Sequence, residues 1–499
     1  MMLKLDASAL DELAGLANVT VPGYPRDRVG TGIVHFGVGG FHRAHQAMYL
    51  DTLMSEDEEA LDWGICGVGV MESDRRMKQA LESQDGLYTL VLKHPDGAIE
   101  ARVIGSLVDY LYAPEDPRAV IERMVEERTR IVSLTITEGG YNFDPNTGEF
   151  DFDDPGVIHD LSDAPQRTTF GLICAALDAR RIAGRAPFTV MSCDNIQGNG
   201  DVARKMFLAF ARRKSPALAE WMEAEVCFPN AMVDRITPVT TDEDRRLVRE
   251  TFGIDDAWPV VCEPFTQWVL EDHFKLGRPA LERVGVQLVD DVVPYELMKL
   301  RLLNASHQAL CYFGYLCGYR YAHEVCQDPL FVDFLLGYMV EEATPTLAPV
   351  PGVDLDRYRH TLIERFANPA IRDTLARLCA ESSDRIPKWL VPVIRERLAS
   401  GGDIRRSAAV VASWARYTEG VDEEGEPIEV VDKLKESLME LAARNREEPE
   451  AFIRNRRLFG DLSSDPRFVE AYRWALDSLH QHGARATLES LEKRVERSA

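Results

Sequence analysis

Residues 32–45 read Gly-Ile-Val-His-Phe-Gly-Val-Gly-Gly-Phe-His-Arg-Ala-His. The apolar run at 33–36 predicts a buried strand, and the residues after the glycines follow a helical pattern through Met48. A strand, a glycine turn and a helix N-terminus can cradle a pyrophosphate, because glycine lets the backbone approach the phosphates and the helix end presents free N–H groups. The last position of the usual G-x-G-x-x-G pattern is His42, so an ordinary tight turn stays open as the alternative.

The backbone expected to hold this pyrophosphate is that of Gly37, Gly39, Gly40 and Phe41. Arg43 follows in the helical pattern and is expected to bring positive charge to the phosphates. A surface salt bridge is the alternative for Arg43. The sequence therefore predicts a dinucleotide-binding turn.

The first 290 residues alternate short apolar runs with helical patterns, which is typical of a parallel sheet covered by helices on both faces. The strands are expected at residues 32–36, 63–70, 88–91, 130–137, 188–193 and 259–261. The helices are expected at residues 43–54, 117–127, 171–181 and 200–213. Ligands of such a sheet bind at the strand ends.

From residue 293 onward the pattern is helical, with helices expected at residues 296–316, 330–343, 355–366, 374–379, 389–399, 405–418 and 466–480. The sequence thus predicts two domains. Residues 1–290 are expected to form a dinucleotide-binding, Rossmann-type domain, and residues 291–499 an all-helical substrate and catalytic domain. The expected fold class is α/β, a mostly parallel sheet domain followed by a predominantly α-helical one.

The composition limits the partners of the chain. A net charge of −25 at pH 7 argues against nucleic acid and anionic membranes. The nine cysteines are scattered without a C-x-x-C pair, as is typical of reduced thiols in the cytoplasm. No apolar run approaches the ~18 residues of a membrane span, and no heptad pattern indicates assembly. We expect a cytoplasmic protein that binds small molecules and is a monomer or a weak oligomer.

The segment Met298-Lys-Leu-Arg-Leu-Leu-Asn-Ala-Ser-His307 begins the helical region. At ~100° per residue in an α-helix, Asn304 lies about 140° from Lys299, and His307 lies between them at about 80°. An amine, a carboxamide and an imidazole on one helix can take a proton, hold an oxygen and position an alcohol. A polar helix face in water is the alternative for this segment.

Seven motifs along the chain carry a family resemblance. They are Gly-Val-Gly-Gly-Phe-His-Arg-Ala-His at 37–45, Thr-Ile-Thr-Glu-Gly-Gly-Tyr at 135–141, Ser-Cys-Asp-Asn at 192–195, Asp-Arg-Ile-Thr-Pro at 234–238, K-x4-N-x2-H at 299–307, Gln-Asp-Pro-Leu at 327–330 and Asn-Pro-Ala-Ile-Arg at 368–372. With them the chain resembles the mannitol dehydrogenase family, the polyol-specific long-chain dehydrogenases/reductases. The resemblance implies NAD(P)-dependent, metal-independent oxidation of a polyol secondary alcohol to a ketose, with D-mannitol and D-fructose as the expected pair.

The resemblance also implies the catalytic roles. Lys299 is the expected general acid/base, Asn195 and Asn304 are expected to hold the substrate oxygen, and His307 to position the substrate. A neutral lysine amine can take the alcohol proton while nicotinamide takes the hydride, which requires the lysine pKa to fall from its usual ~10.4. Glu296 is expected to gate a water path for the proton. A turn asparagine is the alternative for Asn195, and a solvated ion pair with Lys299 is the alternative for Glu296.

For the substrate hydroxyls the resemblance points to Asp234, Arg377 and position 385. A lysine is expected at 385, whereas this chain has Arg385 within Ser-Ser-Asp-Arg-Ile-Pro at 382–387. Arginine keeps the charge but has a different reach and a planar donor fork, which can shift the preference among polyols. Ion pairs at a domain interface are the alternative for these side chains.

The expected cofactor is NAD, and NADP stays open. The second strand is followed by Met-Glu-Ser-Asp at 71–74. A carboxylate at this strand end accepts the ribose hydroxyls of NAD and repels the extra phosphate of NADP. Glu72 is expected in that role, with Asp74 as the alternative, while Arg75 and Arg76 are able to bind a phosphate instead.

Two other mechanisms match parts of the sequence. Tyr295 and Lys299 match the Y-x3-K pair of short-chain dehydrogenases, in which the tyrosine donates the proton. Those enzymes are about half as long and place the pair within the nucleotide-binding domain. His42 and His45 are spaced like zinc ligands, yet no cysteine lies nearby and no H-E-x-x-H occurs, so no metal is expected.

Other substrates are open within the same family. A hexuronate reductase acting on fructuronate or tagaturonate would pair its substrate carboxylate with Arg377 and Arg385. A D-arabinitol dehydrogenase is close, because the two polyols share stereochemistry near the reacting carbon. A nucleotide-binding sensor without catalysis is the alternative from another class, and the complete catalytic set argues against it.

Overall fold

The computed structural model describes residues 2–143, 148–162 and 164–496 of the chain. The chain divides into two compact units, Met1–Val293 and Pro294–Ala499. The first unit combines strands and helices, and the described residues of the second contain helices and no β-strand.

The strands of the first unit follow in chain order. They are β1 (Leu3–Lys4), β2 (Val19–Thr20), β3 (Thr31–Phe36), β4 (Gly64–Gly69), β5 (Tyr88–Lys93), β6 (Ile99–Ile104), β7 (Leu107–Tyr112), β8 (Ile131–Leu134), β9 (Thr189–Ser192), β10 (Ala231–Asp234), β11 (Ile254–Asp255), β12 (Val260–Cys262), β13 (Gln267–Glu271) and β14 (Gln287–Val289).

The helices that accompany these strands are α1 (Leu10–Leu13), α2 (Gly40–Ala44), α3 (Gln46–Glu56), α4 (Arg75–Glu82), α5 (Pro117–Val125), α6 (Thr137–Gly140), α7 (Pro155–Leu161), α8 (Thr169–Ile182), α9 (Asn199–Lys214), α10 (Pro216–Glu225) and α11 (Asp242–Phe252). Several begin at an acidic or hydroxyl cap followed by proline, as α5 does at Asp116, whose carboxylate accepts from the backbone of Arg118 and Ala119.

Five strands form a parallel sheet in the order β7-β4-β3-β8-β9. Counted along the chain, this is the order 3-2-1-4-5, which matches the first five strands of the Rossmann-type order 3-2-1-4-5-6. The direction of winding reverses between β3 and β8, and ligands of such sheets bind at the carboxyl ends of the strands at that point. The loops after β3, β8 and β9 therefore share the edge where a dinucleotide is expected.

Both faces of this sheet are buried. Ile33 and Ile131 pack into one apolar cluster, whereas their neighbours Val34 and Val132 pack into another. Successive strand residues point to opposite faces, so two separate clusters mean that protein covers each side. The continuous apolar runs in the sequence reflect this arrangement, and the expected fold class is confirmed.

The strands expected at residues 88–91 and 259–261 form, but they lie outside the five-stranded sheet. As β5 and β12 they pair with each other in parallel, and β5 also forms an antiparallel hairpin with β6. A further sheet joins β10, β13 and β14. An apolar run identifies a buried strand without identifying its partner, which is why the sequence did not separate these sheets.

The helix expected at residues 43–54 is wrong at its start. It begins at Gly40, directly after the glycine turn, and breaks at His45, where φ and ψ are −123° and −92°. His42, at the last position of the glycine motif, stacks on His35 of β3 with ring centroids 3.4 Å apart. The imidazole therefore packs the helix against the strand at the place where the usual motif has glycine.

The second unit contains the helices α12 (Val293–Met298), α13 (Ala305–Leu316), α14 (Ala322–Cys326), α15 (Pro329–Gly337), α16 (Leu355–Phe366), α17 (Leu375–Cys379), α18 (Ser382–Trp389), α19 (Val391–Ala399), α20 (Arg405–Tyr417), α21 (Lys435–Ala442), α22 (Arg456–Phe459), α23 (Pro466–His482) and α24 (Ala484–Glu496). In the part of the chain that the structure describes, no helix is long and apolar enough to cross a membrane.

The single helix expected at residues 296–316 is wrong, because a π-helical segment at Lys299–Asn304 separates α12 from α13. A π-helical turn bonds residues five apart and holds more residues than an α turn, so each residue advances by less than ~100°. The expected separation of about 140° between Lys299 and Asn304 is therefore too large. The wider turn rotates these two side chains toward each other.

The turn after β3 requires glycine at position 37. Gly37 has φ +90°, and a Cβ there would lie 2.1 Å from the carbonyl oxygen of Thr135. The hydroxyl of Thr135 donates a 2.6 Å hydrogen bond to the Gly37 carbonyl, which joins the ends of β3 and β8. A side chain at this position would push apart the two strands that flank the switch point.

A residue other than glycine in the left-handed conformation costs ~1–2 kcal/mol. The substitution Gly37→Ala is expected to lower the free energy of unfolding by more than this, because the added Cβ also meets the Thr135 carbonyl. Gly97→Ala is the matched control, since Gly97 has φ +87° and nothing lies within 4 Å of a Cβ there. Urea unfolding of both variants measures the difference. Equal losses in the two variants would contradict the steric account.

Candidate active site

Two loops at the carboxyl edge of the parallel sheet are joined by one carboxylate. Asp194, just after β9, accepts hydrogen bonds from the backbone of Ile136 at 3.1 Å and Thr137 at 2.7 Å. The hydroxyl of Tyr141 donates to the same carboxylate at 2.8 Å. Burial raises the pKa of Asp194, and these three donors counter that effect. The loops after β8 and β9 are thereby held in one arrangement.

Asn195 is exposed beside this buried anchor, at the end of β9. Its neighbour Asp194 was not singled out from the sequence, although both belong to the motif at residues 192–195. The structure therefore gives the motif two parts. Asp194 holds the loop, and Asn195 is presented to solvent from it.

The glycine turn has an open backbone at the switch point. Gly39 is exposed, and the nearest atom to a Cβ at that position would be 3.9 Å away. Gly37 and Gly40 are half-buried on either side of it. Phe41 stacks on His45 with ring centroids 4.9 Å apart, which holds the start of α2. This backbone has the form that a pyrophosphate cradle requires.

The expectation that the side chain of Arg43 binds a phosphate is wrong. Arg43 is 1% exposed, and its Nη1 donates a 2.5 Å hydrogen bond to the carbonyl of Trp258. The guanidinium lies over the ring of Tyr88 at 5.2 Å, and burial lowers its pKa to about 10. Because α2 begins at Gly40, Arg43 falls on the inward face of the helix.

His35 and His45, on either side of the turn, are held by hydrogen bonds to protein groups. His35 bonds to Ser133 Oγ at 2.8 Å and to Thr135 Oγ1 at 2.9 Å, and burial lowers its pKa to about 3. His45 Nε2 bonds to the carbonyl of Gln267 at 3.0 Å. Among residues 2–143, 148–162 and 164–496, no group of three or more His, Cys, Asp or Glu side chains is arranged to hold a metal ion.

The acidic segment after β4 contains two carboxylates in different positions. Asp74 accepts hydrogen bonds of 2.9 Å from the backbone of Val70 and Met71, so it caps the turn. Glu72 is exposed to solvent. Of the two alternatives, Glu72 is thus the more exposed carboxylate.

The two arginines that follow this segment contact neighbouring side chains. Arg75 pairs with Glu115 at 3.3 Å, and Arg76 lies over the ring of Trp258 at 5.2 Å. Binding the extra phosphate of NADP would compete with these contacts.

Asp234 is buried at the end of β10. The next residue, Arg235, donates to the carbonyl of Ala44 at 2.6 Å and to that of Glu263 at 3.0 Å. Because Ala44 is the last residue of α2, the end of β10 is fixed to the helix that follows the glycine turn.

The polar residues of the π-helical segment Lys299–Asn304 are buried, and so is Glu296 of the preceding α12. Glu296, Lys299 and Asn304 are 4%, 6% and 5% exposed. The alternatives of a polar face in water and of a solvated ion pair are therefore wrong. His307 is half-buried, and its ring lies 4.5 Å from that of Phe366.

Tyr295, the candidate of the short-chain mechanism, is 1% exposed. Its hydroxyl donates a 2.8 Å hydrogen bond to the carbonyl of Pro351. A hydroxyl bonded to a backbone carbonyl is a poor proton donor to a substrate, so this alternative is disfavoured.

Arg377 on α17 and Arg385 on α18 are both bound to protein groups. Arg377 forms a two-pronged pair with Asp373 at 2.6 and 2.5 Å. Arg385 donates to the carbonyls of Arg377 at 3.2 Å and Leu378 at 2.9 Å, and its guanidinium lies 5.7 Å from the centre of the Trp389 ring. Nη1 of Arg385 thus binds the segment that carries Arg377.

A doubly wound parallel sheet with a glycine turn at its switch point, and a buried lysine and asparagine on one helical turn, define an oxidoreductase of the dehydrogenase class. Two family models match the chain, the mannitol dehydrogenase Rossmann domain over residues 31–283 and the mannitol dehydrogenase C-terminal domain over residues 291–480. The chain belongs to the mannitol dehydrogenase family.

Relatives match over nearly the whole chain. A mannitol 2-dehydrogenase of Phaeosphaeria nodorum is 48% identical, over 97% of this chain and 85% of the relative. The Pseudomonas fluorescens mannitol 2-dehydrogenase, solved with NAD and D-mannitol, is 48% identical with a TM-score of 0.86, covering 98% of this chain and 100% of that one. A substrate-free D-sorbitol dehydrogenase is 38% identical with a TM-score of 0.91, covering 97% and 100%.

The substitution Asp194→Asn is expected to lower both stability and turnover, because an amide cannot accept all three hydrogen bonds and the loop that carries Asn195 loosens. Asp160→Asn is the matched control. Asp160 is also fully buried and accepts from two backbone N–H groups and one hydroxyl, those of Arg167 and Thr168. Both variants should lose about 1–3 kcal/mol of unfolding free energy. Only Asp194→Asn should lower kcat/KM, and an equal loss in both would refute the positioning role.

Proposed function

We propose that the chain interconverts a polyol secondary alcohol and its ketose with NAD as cofactor, and that D-mannitol and D-fructose are the pair. The observation that carries the proposal is the burial of Lys299 and Asn304 on one π-helical turn. The likeness to an enzyme solved with NAD and D-mannitol supports it at 48% identity. Residues 1–290 serve as the dinucleotide-binding domain in this proposal, and residues 291–499 as the substrate domain.

The residues of the first unit fit NAD. Gly37 supplies the left-handed turn that is packed against Thr135, Gly39 leaves open the space that a side chain would fill, and Gly40 begins the helix that follows. Glu72 is the solvent-exposed carboxylate for the ribose hydroxyls, since Asp74 caps the preceding turn. When bound, NAD supplies the acceptor for the hydride that leaves the alcohol carbon.

The protein's part of the reaction is to remove and return one proton. In the oxidative direction, Nζ of Lys299 in its neutral form takes the proton of the alcohol hydroxyl. In the reductive direction, the ammonium form returns it to the ketose oxygen. Burial excludes bulk water as a competing proton donor, and Glu296 on the preceding turn gates the exchange of that proton with solvent.

Two carboxamides stabilise the oxygen as its charge develops. The side-chain N–H groups of Asn195 and Asn304 donate to the alkoxide, and a carboxamide carries no proton that competes with Lys299. His307 positions the substrate hydroxyl next to the reacting carbon. No metal takes part in this scheme, so activity should survive exhaustive chelation.

Asp234, Arg377 and Arg385 are the proposed contacts for the remaining hydroxyls. The two-pronged pair with Asp373 neutralises Arg377, which leaves little net charge for a substrate carboxylate. This pairing favours a neutral polyol over the hexuronate alternative. The other partners are NAD and the ketose, and a monomer or a weak oligomer is the proposed assembly.

The substrate is tested by NADH oxidation with fructose and with fructuronate. Fructose is expected to give the higher kcat/KM, because the Arg377–Asp373 pair offers a carboxylate no advantage. A preference for fructuronate would overturn the substrate while leaving the family intact.

The base is tested in the same assay with Lys299→Ala, which should lose about 10²–10⁴-fold in kcat. Lys435→Ala, which removes an exposed lysine of α21, is the control for the loss of a cation. Retained turnover in Lys299→Ala would refute the mechanism.

The cofactor preference is tested with Glu72→Gln, which removes the carboxylate charge at nearly constant shape. The ratio of kcat/KM for NAD to that for NADP is expected to fall about 10- to 100-fold, the range of one or two specific contacts. Glu82→Gln, at the exposed end of α4, is the control. An unchanged ratio would reject Glu72 as the ribose ligand.

A further inference from the structure

The π-helical turn that carries Lys299 and Asn304 shifts the hydrogen bonds of its helix by one residue. In an uninterrupted α-helix the backbone N–H of Ala305 would donate to Arg301, four residues earlier. Here it donates to the carbonyl of Leu300, five residues earlier. The carbonyl of Arg301 thus does not accept the hydrogen bond from the Ala305 N–H that it would accept in an α-helix.

A buried tyrosine hydroxyl reaches this carbonyl. The hydroxyl of Tyr338 donates a 3.0 Å hydrogen bond to the carbonyl oxygen of Arg301, and Tyr338 is fully buried. Tyr338 is itself the first residue of a second π-helical segment, Tyr338–Ala343. A donor supplied from another helix stabilises the shifted register, because a buried carbonyl without a partner costs free energy.

The side chain of the same arginine is also fixed. Arg301 is 7% exposed, and its guanidinium donates to both carboxylate oxygens of Glu396 on α19 at 2.8 and 2.7 Å. Nη1 further donates to the carbonyl of Thr346 at 2.6 Å. A two-pronged arginine pair sets direction as well as distance. Arg301, in the middle of the π-helical turn, is therefore held through its backbone and its side chain at once.

We propose that Tyr338 and Glu396 are positioning residues for the reaction, which act through Arg301 to hold the π-helical turn that sets the orientation of Lys299 relative to Asn304. The inference rests on the proposed function of Lys299 and Asn304. π-helices are rare and occur mostly as single turns inside α-helices, frequently at functional sites. Here the carbonyl of Arg301 takes a hydrogen bond from outside its own helix. Tyr338 and Glu396 support the turn through their hydrogen bonds with Arg301.

The variant Tyr338→Phe removes the hydroxyl and leaves the ring. Its kcat is expected to fall on the order of 10- to 100-fold, as for a catalytic group misplaced by about an ångström. Tyr472→Phe is the matched control, because Tyr472 is also fully buried in the second unit and its hydroxyl has no hydrogen-bond partner among the described residues. That control should turn over like the wild type.

The deuterium isotope effect on kcat distinguishes a misplaced base from a loss of active protein. It is measured with a polyol labelled at the carbon that is oxidised. Misplacement of the base slows the chemical step, so the isotope effect should be larger in Tyr338→Phe than in the wild type. A smaller fraction of folded enzyme would lower kcat and leave the isotope effect unchanged. The KM for NAD should stay within about twofold, since the residues proposed to bind it lie in the other unit.

Glu396→Gln is the second variant, and it guards against a folding defect because Glu396 is half exposed. It keeps the shape but removes the charge that pairs with Arg301, so kcat should fall and the isotope effect should rise, by less than in Tyr338→Phe. Asp461→Asn is its control, since Asp461 pairs with Arg395 of the same helix at 3.2 Å on the surface. Wild-type kcat and isotope effect in both Tyr338→Phe and Glu396→Gln would overturn the proposal.

Amide hydrogen exchange separates this inference from the proposed function. Peptides that cover residues 299–306 should exchange faster in Tyr338→Phe than in Tyr472→Phe, whatever the substrate. If exchange rises but Lys299→Ala retains turnover, the support of the turn stands and the role of Lys299 fails. If Lys299→Ala is inactive while exchange and kcat are unchanged in Tyr338→Phe, the function stands and the positioning role fails.

Discussion

The π-helical turn from Lys299 to Asn304 is the constraint on which the proposed chemistry of the second unit depends. An α-helix would direct the amine and the carboxamide away from each other, and the wider turn brings them toward one side. The turn is held by groups distant in the chain, the hydroxyl of Tyr338 on the Arg301 carbonyl and the carboxylate of Glu396 on its guanidinium. Reactive groups that sit on a rigid, buried backbone lose little entropy when a substrate arrives.

The first unit meets a different requirement, which is to bring backbone rather than side chains to the edge of the sheet. Gly37 lies so close to Thr135 that a side chain has no room. Asp194 joins the loops after β8 and β9 with three hydrogen bonds. Basic side chains next to the glycine turn are buried and pack within the protein. Arg43 holds Trp258, and His42 packs against His35, so the glycine turn itself remains open.

The fold class follows from the sequence because strands buried on both faces appear as continuous apolar runs, as at Ile33 to Phe36. The edge strand β7 was not foreseen, since its half-exposed residues include Asp109. The inward direction of Arg43 was missed because the helix begins at Gly40 and not at residue 43, which turns that side chain toward the core.

The residues of the candidate site could be predicted from the sequence, but their relative orientation could not. Lys299, Asn304 and His307 were found from their spacing, yet α and π turns share the same residue pattern and differ by one hydrogen bond. That bond depends on Tyr338 and Glu396, which no local pattern connects to Lys299. The role of Asp194 was hidden for a similar reason, because its partners lie in a loop after another strand. Tertiary partners of this kind become visible only in the folded chain.

The central claim, that the amine of Lys299 transfers the proton, is tested most directly by chemical rescue. Lys299→Ala would be assayed for polyol oxidation with small primary amines of graded basicity, and with tetramethylammonium as a cation that cannot take a proton. The account predicts that the rate rises with the concentration and the basicity of the primary amine and does not respond to tetramethylammonium. No recovery with any amine, or equal recovery with tetramethylammonium, would contradict it.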